Sequence, residues 1–249
     1  MTPNNPRPLI PVDPKGLDDI AKALLDNPSQ EIPPYSPSSS KIVDSKEYIR
    51  VPQYNINIAK SETHKGEDTN GQLESLLKEK LSMPSPAQFM RHRMNVRAAA
   101  QGLNSLVYAD GTTVPDTEVQ GLWKYISSGH RGGCWTRLNA RFREEKGVWY
   151  IDNDLKVVIG KDKKKVLQGT PHKLICPIRE DKYVTLDFDS QGLPKTLSPA
   201  TNYKQGENIM FWYPRNGTVA WFVAISVRAY LICYRDPAYR NAVLGVFAC

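Results

Sequence analysis

Proline locks one backbone torsion and lacks an amide donor, so a segment punctuated by it enters neither a helix interior nor a central strand. Residues 1–70 carry Pro3, Pro6, Pro8, Pro11, Pro14, Pro33, Pro34 and Pro37, with Ser36, Ser38, Ser39 and Ser40 alongside. Such a composition buries too little apolar surface to offset its ordering entropy. Residues 1–70 are therefore expected to form a flexible, extended arm. One island differs. From Asp13 to Pro28 the chain reads DPKGLDDIAKALLDNP. Leu17, Ile20, Leu24 and Leu25 share a stripe of a helix spanning about 14–26, with Asp13 as N-cap and Pro14 at the first position. A helix this short is marginal alone, so these four side chains are candidates for docking onto a partner, including another copy of the chain.

Beyond the arm, helical signals dominate residues 71–146. Leu73, Leu76 and Leu77 mark a first helix. Ser85-Pro86-Ala87-Gln88 combines an N-cap, a proline at the first position and a capping-box glutamine, and predicts a helix to about Gln101. Pro115, Asp116 and Glu118 start a third, with Val119, Leu122, Trp123 and Ile126 inward, ending near Gly129. A fourth is predicted from Cys134 to Lys146.

Strand signals dominate residues 147–249. VWYI and LKVVIG flank Asp152-Asn153-Asp154, and VVIG and KKKVL flank Lys161-Asp162; both read as hairpins. PHKLICPI and KYVTLDFD alternate. Asn216-Gly217 between NIMFWYPR and TVAWFVAISV predicts a type I′ hairpin. The apolar run 218–234 falls short of the roughly 20 residues of a membrane span and contains Arg228, so it reads as buried strands. The expected fold class is α+β: an extended N-terminal arm, a small helical subdomain, then an antiparallel β sandwich or barrel packed with it as one body. The apolar ending 242–249 is expected to close the sheet or pair with a neighbour.

Charge divides with the chain. The whole protein has 33 Lys/Arg and 26 Asp/Glu, net +7; residues 1–70 hold 8 and 10 of these, leaving 25 and 16 in residues 71–249. The body, not the arm, is the basic part and the expected seat of any phosphate-binding surface. The candidates are Arg91, Arg93 and Arg97 on the second helix, Arg131, Arg137, Arg141 and Arg143 around the fourth, and Lys161, Lys163, Lys164 and Lys165 at a hairpin tip. Phe142, Trp149 and Tyr150 lie close in sequence and offer rings for stacking bases.

A second pattern is Gly132-Gly133-Cys134-Trp135 at the start of the predicted fourth helix. A thiol there would be acidified by free helix amides and by Arg131. Cys-Trp after glycine at a helix start resembles the nucleophile motif of papain-like cysteine peptidases and of transglutaminases. That resemblance implies His172 as base and Asp187 or Asp189 as the group orienting it. It covers about three residues. The papain oxyanion-hole Gln has no counterpart a few residues before the Cys; the nearest is Gln120. His130-x3-Cys134 and His172-x3-Cys176 have metal-like spacing, but four residues along a strand separate side chains by about 13 Å, too far for one zinc ion. No metal or cofactor is expected, and no phosphate loop, dinucleotide fingerprint or hydrolase elbow is present.

The four cysteines form no paired framework, and the N-terminus lacks a basic and an apolar signal region, so an intracellular setting is expected. The leading expectation is a nonenzymatic structural or assembly protein of capsid, nucleocapsid or matrix type. It would self-associate through the arm and bind nucleic acid, RNA in the first place, with no transmembrane segment. The alternatives are a cysteine hydrolase using Cys134 and His172, and a peripheral membrane or host-factor-binding protein.

Overall fold

A computed structural model describes residues 44–128, 133–225 and 228–249. Leu17, Ile20, Leu24 and Leu25, the expected docking helix and Arg131 lie outside the described residues. The expected arm boundary at residue 70 moves earlier. Strands β1 (Tyr48–Val51) and β2 (Ile56–Ala59) form an antiparallel hairpin with Val51 opposite Ile56. Asn55 makes the turn in the left-handed region at φ 50°, which asparagine tolerates. Ile49, Val51 and Ile58 are fully buried in the main core, so the hairpin belongs to the body.

Three helices follow where their start signals lie. In α1 (Thr69–Lys78) the Asp68 carboxylate accepts from the Gly71 amide at 2.8 Å, and Leu73 and Leu76 are buried. Helix α2 (Pro86–Ala100) has its full capping box: Ser85 donates its amide to Gln88 Oε1 at 2.7 Å, and the Gln88 amide donates to Ser85 Oγ at 3.3 Å. Helix α3 (Asp116–Ser128) buries Val119, Leu122 and Ile126.

The expected fourth helix is a strand. Residues Cys134–Glu145 form β3, and the rest of the sheet is β4 (Val148–Ile159), β5 (Lys165–Lys173), β6 (Lys182–Thr185), β7 (Asn208–Trp212), β8 (Val219–Ile225) and β9 (Arg228–Arg235). Cys134, Leu138, Ala140 and Phe142 recur at even spacing and enter the main core, which is the period of a strand and not of a helix. Asp152-Asn153-Asp154 is not a hairpin turn either. It is an irregularity inside one long strand, where the register shifts between Asn153 and Lys156 and Asp154 takes φ 54°.

The fold class is α+β, and the sheet is open rather than closed into a sandwich or barrel. Its order is β5-β4-β3-β8-β9-β7-β6. Every pairing is antiparallel except β7 with β9. Strand β9 therefore lies between β7 and β8, and the expected Asn216-Gly217 hairpin does not form. Of the two turn residues only Gly217 has positive φ (80°), and a type I′ turn needs both.

One face of the sheet packs on α2 and α3, with Phe89 against Phe222 and Phe247 at 5.1 and 5.4 Å between ring centres. The other face packs Trp221 and Val223 with α1 and with Leu244, Val246 and Ala248. The C-terminal segment is held within the chain. The Arg137 amide donates to Gly245 O at 3.0 Å, and Thr63 and Val246 exchange both backbone bonds. Among the described residues no helix is long and apolar enough to cross a membrane, and the run 218–234 supplies β8 and most of β9.

Candidate nucleic-acid interface

The expected basic residues separate into two groups once their partners are known. Arg93 is fully buried in α2, its guanidinium 5.3 Å from the Trp123 ring and 5.4 Å from Phe222, and its Nε donates to Ile126 O at 3.4 Å. Burial pulls its pKa down to about 10. Arg137 is also buried, pulled to about 10 by desolvation, and donates to the carbonyls of Glu67 (2.6 Å) and Tyr239. Arg141 and Arg143 converge on Asp152, whose carboxylate is 2% exposed: Arg141 Nη2 donates at 2.7 Å and Arg143 Nε at 2.9 Å. Arg141 Nη1 also donates to Leu167 O at 2.6 Å. Arg91 and Arg97 are half-buried, and desolvation lowers the Arg97 pKa. Arginines that the sequence offers as phosphate ligands thus hold the body together; burial removes Arg93 and Arg137 from any phosphate, and Asp152, with Glu145 on Arg143, engages the next two. Phe142 is buried as well.

The lysines are different. β4 pairs with β3 only through Val148–Asp152, whereas it pairs with β5 from Tyr150 out to Ile159. The outer parts of β4 and β5 therefore run past the sheet as a two-stranded ribbon about 20 Å long, at 3.3 Å per residue. Leu155, Val157 and Leu167 anchor one side of it against Leu73 and Leu76 of α1. Lys156, Lys161, Lys163, Lys164 and Lys165 are all exposed along it, and Lys173 is exposed at its sheet end. The tip is tight: Gly160 donates to Lys164 O at 2.8 Å, Lys163 donates to Gly160 O at 3.0 Å, and Lys163 sits at φ 63°. Lys165 pairs with Glu74 at 2.7 Å and Lys164 approaches Asp162 at 3.6 Å. Among the described residues Lys161 and Lys163 have no carboxylate within ion-pair distance. Lys156 stands alone in sequence and joins the ribbon through the pairing of β4 with β5, opposite Gln168; Lys173, opposite Tyr150, lies at the sheet end of β5.

The cysteine-hydrolase arrangement is not assembled. Cys134 opens a strand, so no helix amides face its thiol; it is fully buried, and burial beside Glu62 pushes its pKa well above the ordinary value. His172 is exposed on β5 opposite Ile151, which pairs with Phe142, eight residues along β3 from Cys134. The separation along the strands alone is roughly 25 Å. Asp187 pairs with Lys195 at 3.1 Å, and Asp189 accepts the amides of Gln191 and Leu193 in a surface loop. Iodoacetamide at neutral pH is expected to leave Cys134 unlabelled in the native protein and to label it after denaturation, as read by peptide mass spectrometry. Selective native labelling of Cys134 would reinstate the hydrolase reading. Among the described residues no three His, Cys, Asp or Glu side chains are grouped to hold a metal ion.

Comparison of the chain with protein-family models, with curated proteins and with solved structures returns no match.

Proposed function

We propose that the protein is a nonenzymatic structural protein of capsid, nucleocapsid or matrix type that binds nucleic acid, RNA in the first place, through the β4–β5 ribbon. The observation that carries this reading is the ribbon itself. Residues 153–170 hold five lysines against two aspartates, on a hairpin that outruns its sheet and whose tip lysines are exposed. Each lysine laid on a phosphate releases a condensed counterion, so a flexible row of them binds a polyanion without sequence preference. The acidic, proline-punctuated N-terminal region, with Leu17, Ile20, Leu24 and Leu25, is the proposed contact between copies.

The test is a salt series with a single-stranded oligouridine. Binding is expected at low salt, with log affinity falling linearly in log salt. Replacing Lys161, Lys163 and Lys164 together by alanine is expected to reduce that slope by about two, at about 0.7 per phosphate contact. Light scattering after size exclusion, with and without RNA, reads assembly. A strict monomer that ignores RNA at low salt overturns the reading, and binding to anionic liposomes in place of RNA would transfer the ribbon to a membrane role.

A further inference from the structure

We propose that the solvent side of β6, β7 and β9 is a stacking platform for the bases of a single strand; this rests on the nucleic-acid reading above and names the second half of the contact. The register aligns the groups. Tyr183 stands opposite Met210, and Met210 opposite Tyr230, so three strands place these side chains in one row on one face. Two residues further along β7 and past Ile232 on β9 come Trp212 and Tyr234, edge to face at 5.5 Å between ring centres. All five are partly exposed, and Trp212, Tyr230 and Tyr234 also pack on the edge of the second core around buried Ile232, while the alternate residues Ile209, Phe211, Leu231 and Cys233 enter the main core on the opposite face. The helices are engaged elsewhere: α1 against β4, α2 against β3, and α3 against β8 and the core side of β9.

The chemistry of the row selects its occupant. The residues of β6, β7 and β9 that reach solvent include four rings, a thioether and the cations Lys182, Arg228 and Arg235, with no aliphatic side chain and no carboxylate. A face built for a second protein core would offer aliphatic groups. Rings interleaved with cations suit bases and phosphates, because every base has a π face and every linkage a negative charge. Arg228 is exposed and hydrogen-bonded to Tyr230 at one end. Arg235 lies over the Tyr234 ring at 5.0 Å at the other. The nearest carboxylates precede β6 and are occupied: Glu180 faces Lys182 at 3.6 Å, and Asp181 accepts the Tyr213 amide at 2.7 Å. Beside the row a recess of about 430 Å³, lined by Tyr183, Met210 and Lys182 and also by Leu197, Glu180 and Asp181, has room for a base turned out of the stack. The lysine ribbon lies at the other edge of the sheet, beyond the part of this face that α1 and the C-terminal segment cover.

The experiment titrates the full chain with single-stranded oligouridine. Trp212→Leu and Tyr230→Leu are each expected to weaken binding about tenfold while leaving the salt slope unchanged, because stacking releases no counterions. Oligouridine is expected to quench wild-type tryptophan fluorescence, and Trp212→Phe to remove most of that quench while keeping affinity within about threefold. Unchanged affinity in both leucine variants, with the alanine ribbon variant still weakened, overturns the platform and leaves the proposed function standing. Loss of self-association in place of RNA affinity also overturns it, as the face would then cover a second copy. Should the leucine variants unfold, an unaltered quench in Trp212→Phe overturns it alone. No binding by the wild type at low salt removes both the platform and the function it rests on.

Discussion

Gly192→Ala is expected to unfold the protein about 10 °C below the wild type, a loss of about 4 kcal/mol or more. Two costs combine at this position. Gly192 sits at φ +76°, where any side chain is strained, and a methyl group there would lie 2.2 Å from the Ala87 amide nitrogen and 2.3 Å from the Pro86 carbonyl carbon. Those atoms belong to the capped first turn of α2, which cannot shift without breaking the Ser85–Gln88 box. The loop cannot retreat easily either. Asp189 holds it by accepting the amides of Gln191 and Leu193 at 2.8 and 3.0 Å, and Leu193 is fully buried. Gly217→Ala is the control. It has a similar φ of +80° with nothing within 4 Å, so it should lose only the conformational strain, about 1 kcal/mol. Thermal melts of the two variants compare the effects directly. Equal losses would mean that the loop does not touch the helix start this closely.

Asp152→Ala is expected to cost about 3 kcal/mol, seen as a lower denaturant midpoint with an unchanged m value. The carboxylate bridges Arg141 and Arg143, both about three-quarters covered; without it Arg141 loses its ion-pair partner and Arg143 keeps only the exposed Glu145. Removing one partner of a buried ionic cluster is costlier than the cluster itself is stabilising, since the remaining charge keeps its desolvation penalty. The same variant separates structural from ligand-binding arginines. Loss of stability together with undiminished oligouridine affinity agrees with arginines tied to Asp152; a large loss of affinity in a folded Asp152→Ala protein would place them in the interface.

Residues 134–145 form a strand where a helix is expected, and two signals compete there. The even-numbered apolar positions Leu138, Ala140 and Phe142 carry the strand period. Arg137, Arg141 and Arg143 nevertheless resemble a solvated face, because charge usually means solvent. Here charge means partners. Asp152 lies across one strand pair, and the Glu67 and Tyr239 carbonyls are 70 and 102 residues from Arg137. A pairing at such distances leaves no trace in a local window. The lysine tip at 161–165 was legible because a hairpin turn is decided by neighbours in sequence, and so was its exposure. The aromatic row escaped for the opposite reason: Tyr183, Met210 and Tyr230 come from three separate stretches and meet only through the register.

By itself, then, the sequence determined what short-range forces decide. These are the starts of α2 and α3, set by Ser85-Pro86-Gln88 and by Pro115, the β4–β5 turn, and the concentration of positive charge beyond residue 70. Tertiary structure alone decided the strand order, the parallel β7–β9 pair that displaces the Asn216-Gly217 hairpin, and which cations face solvent. The physical reason is range. Caps and tight turns are satisfied by atoms a few residues away. Sheet order and the burial of charge are settled by total apolar area and by partners that only folding brings within reach.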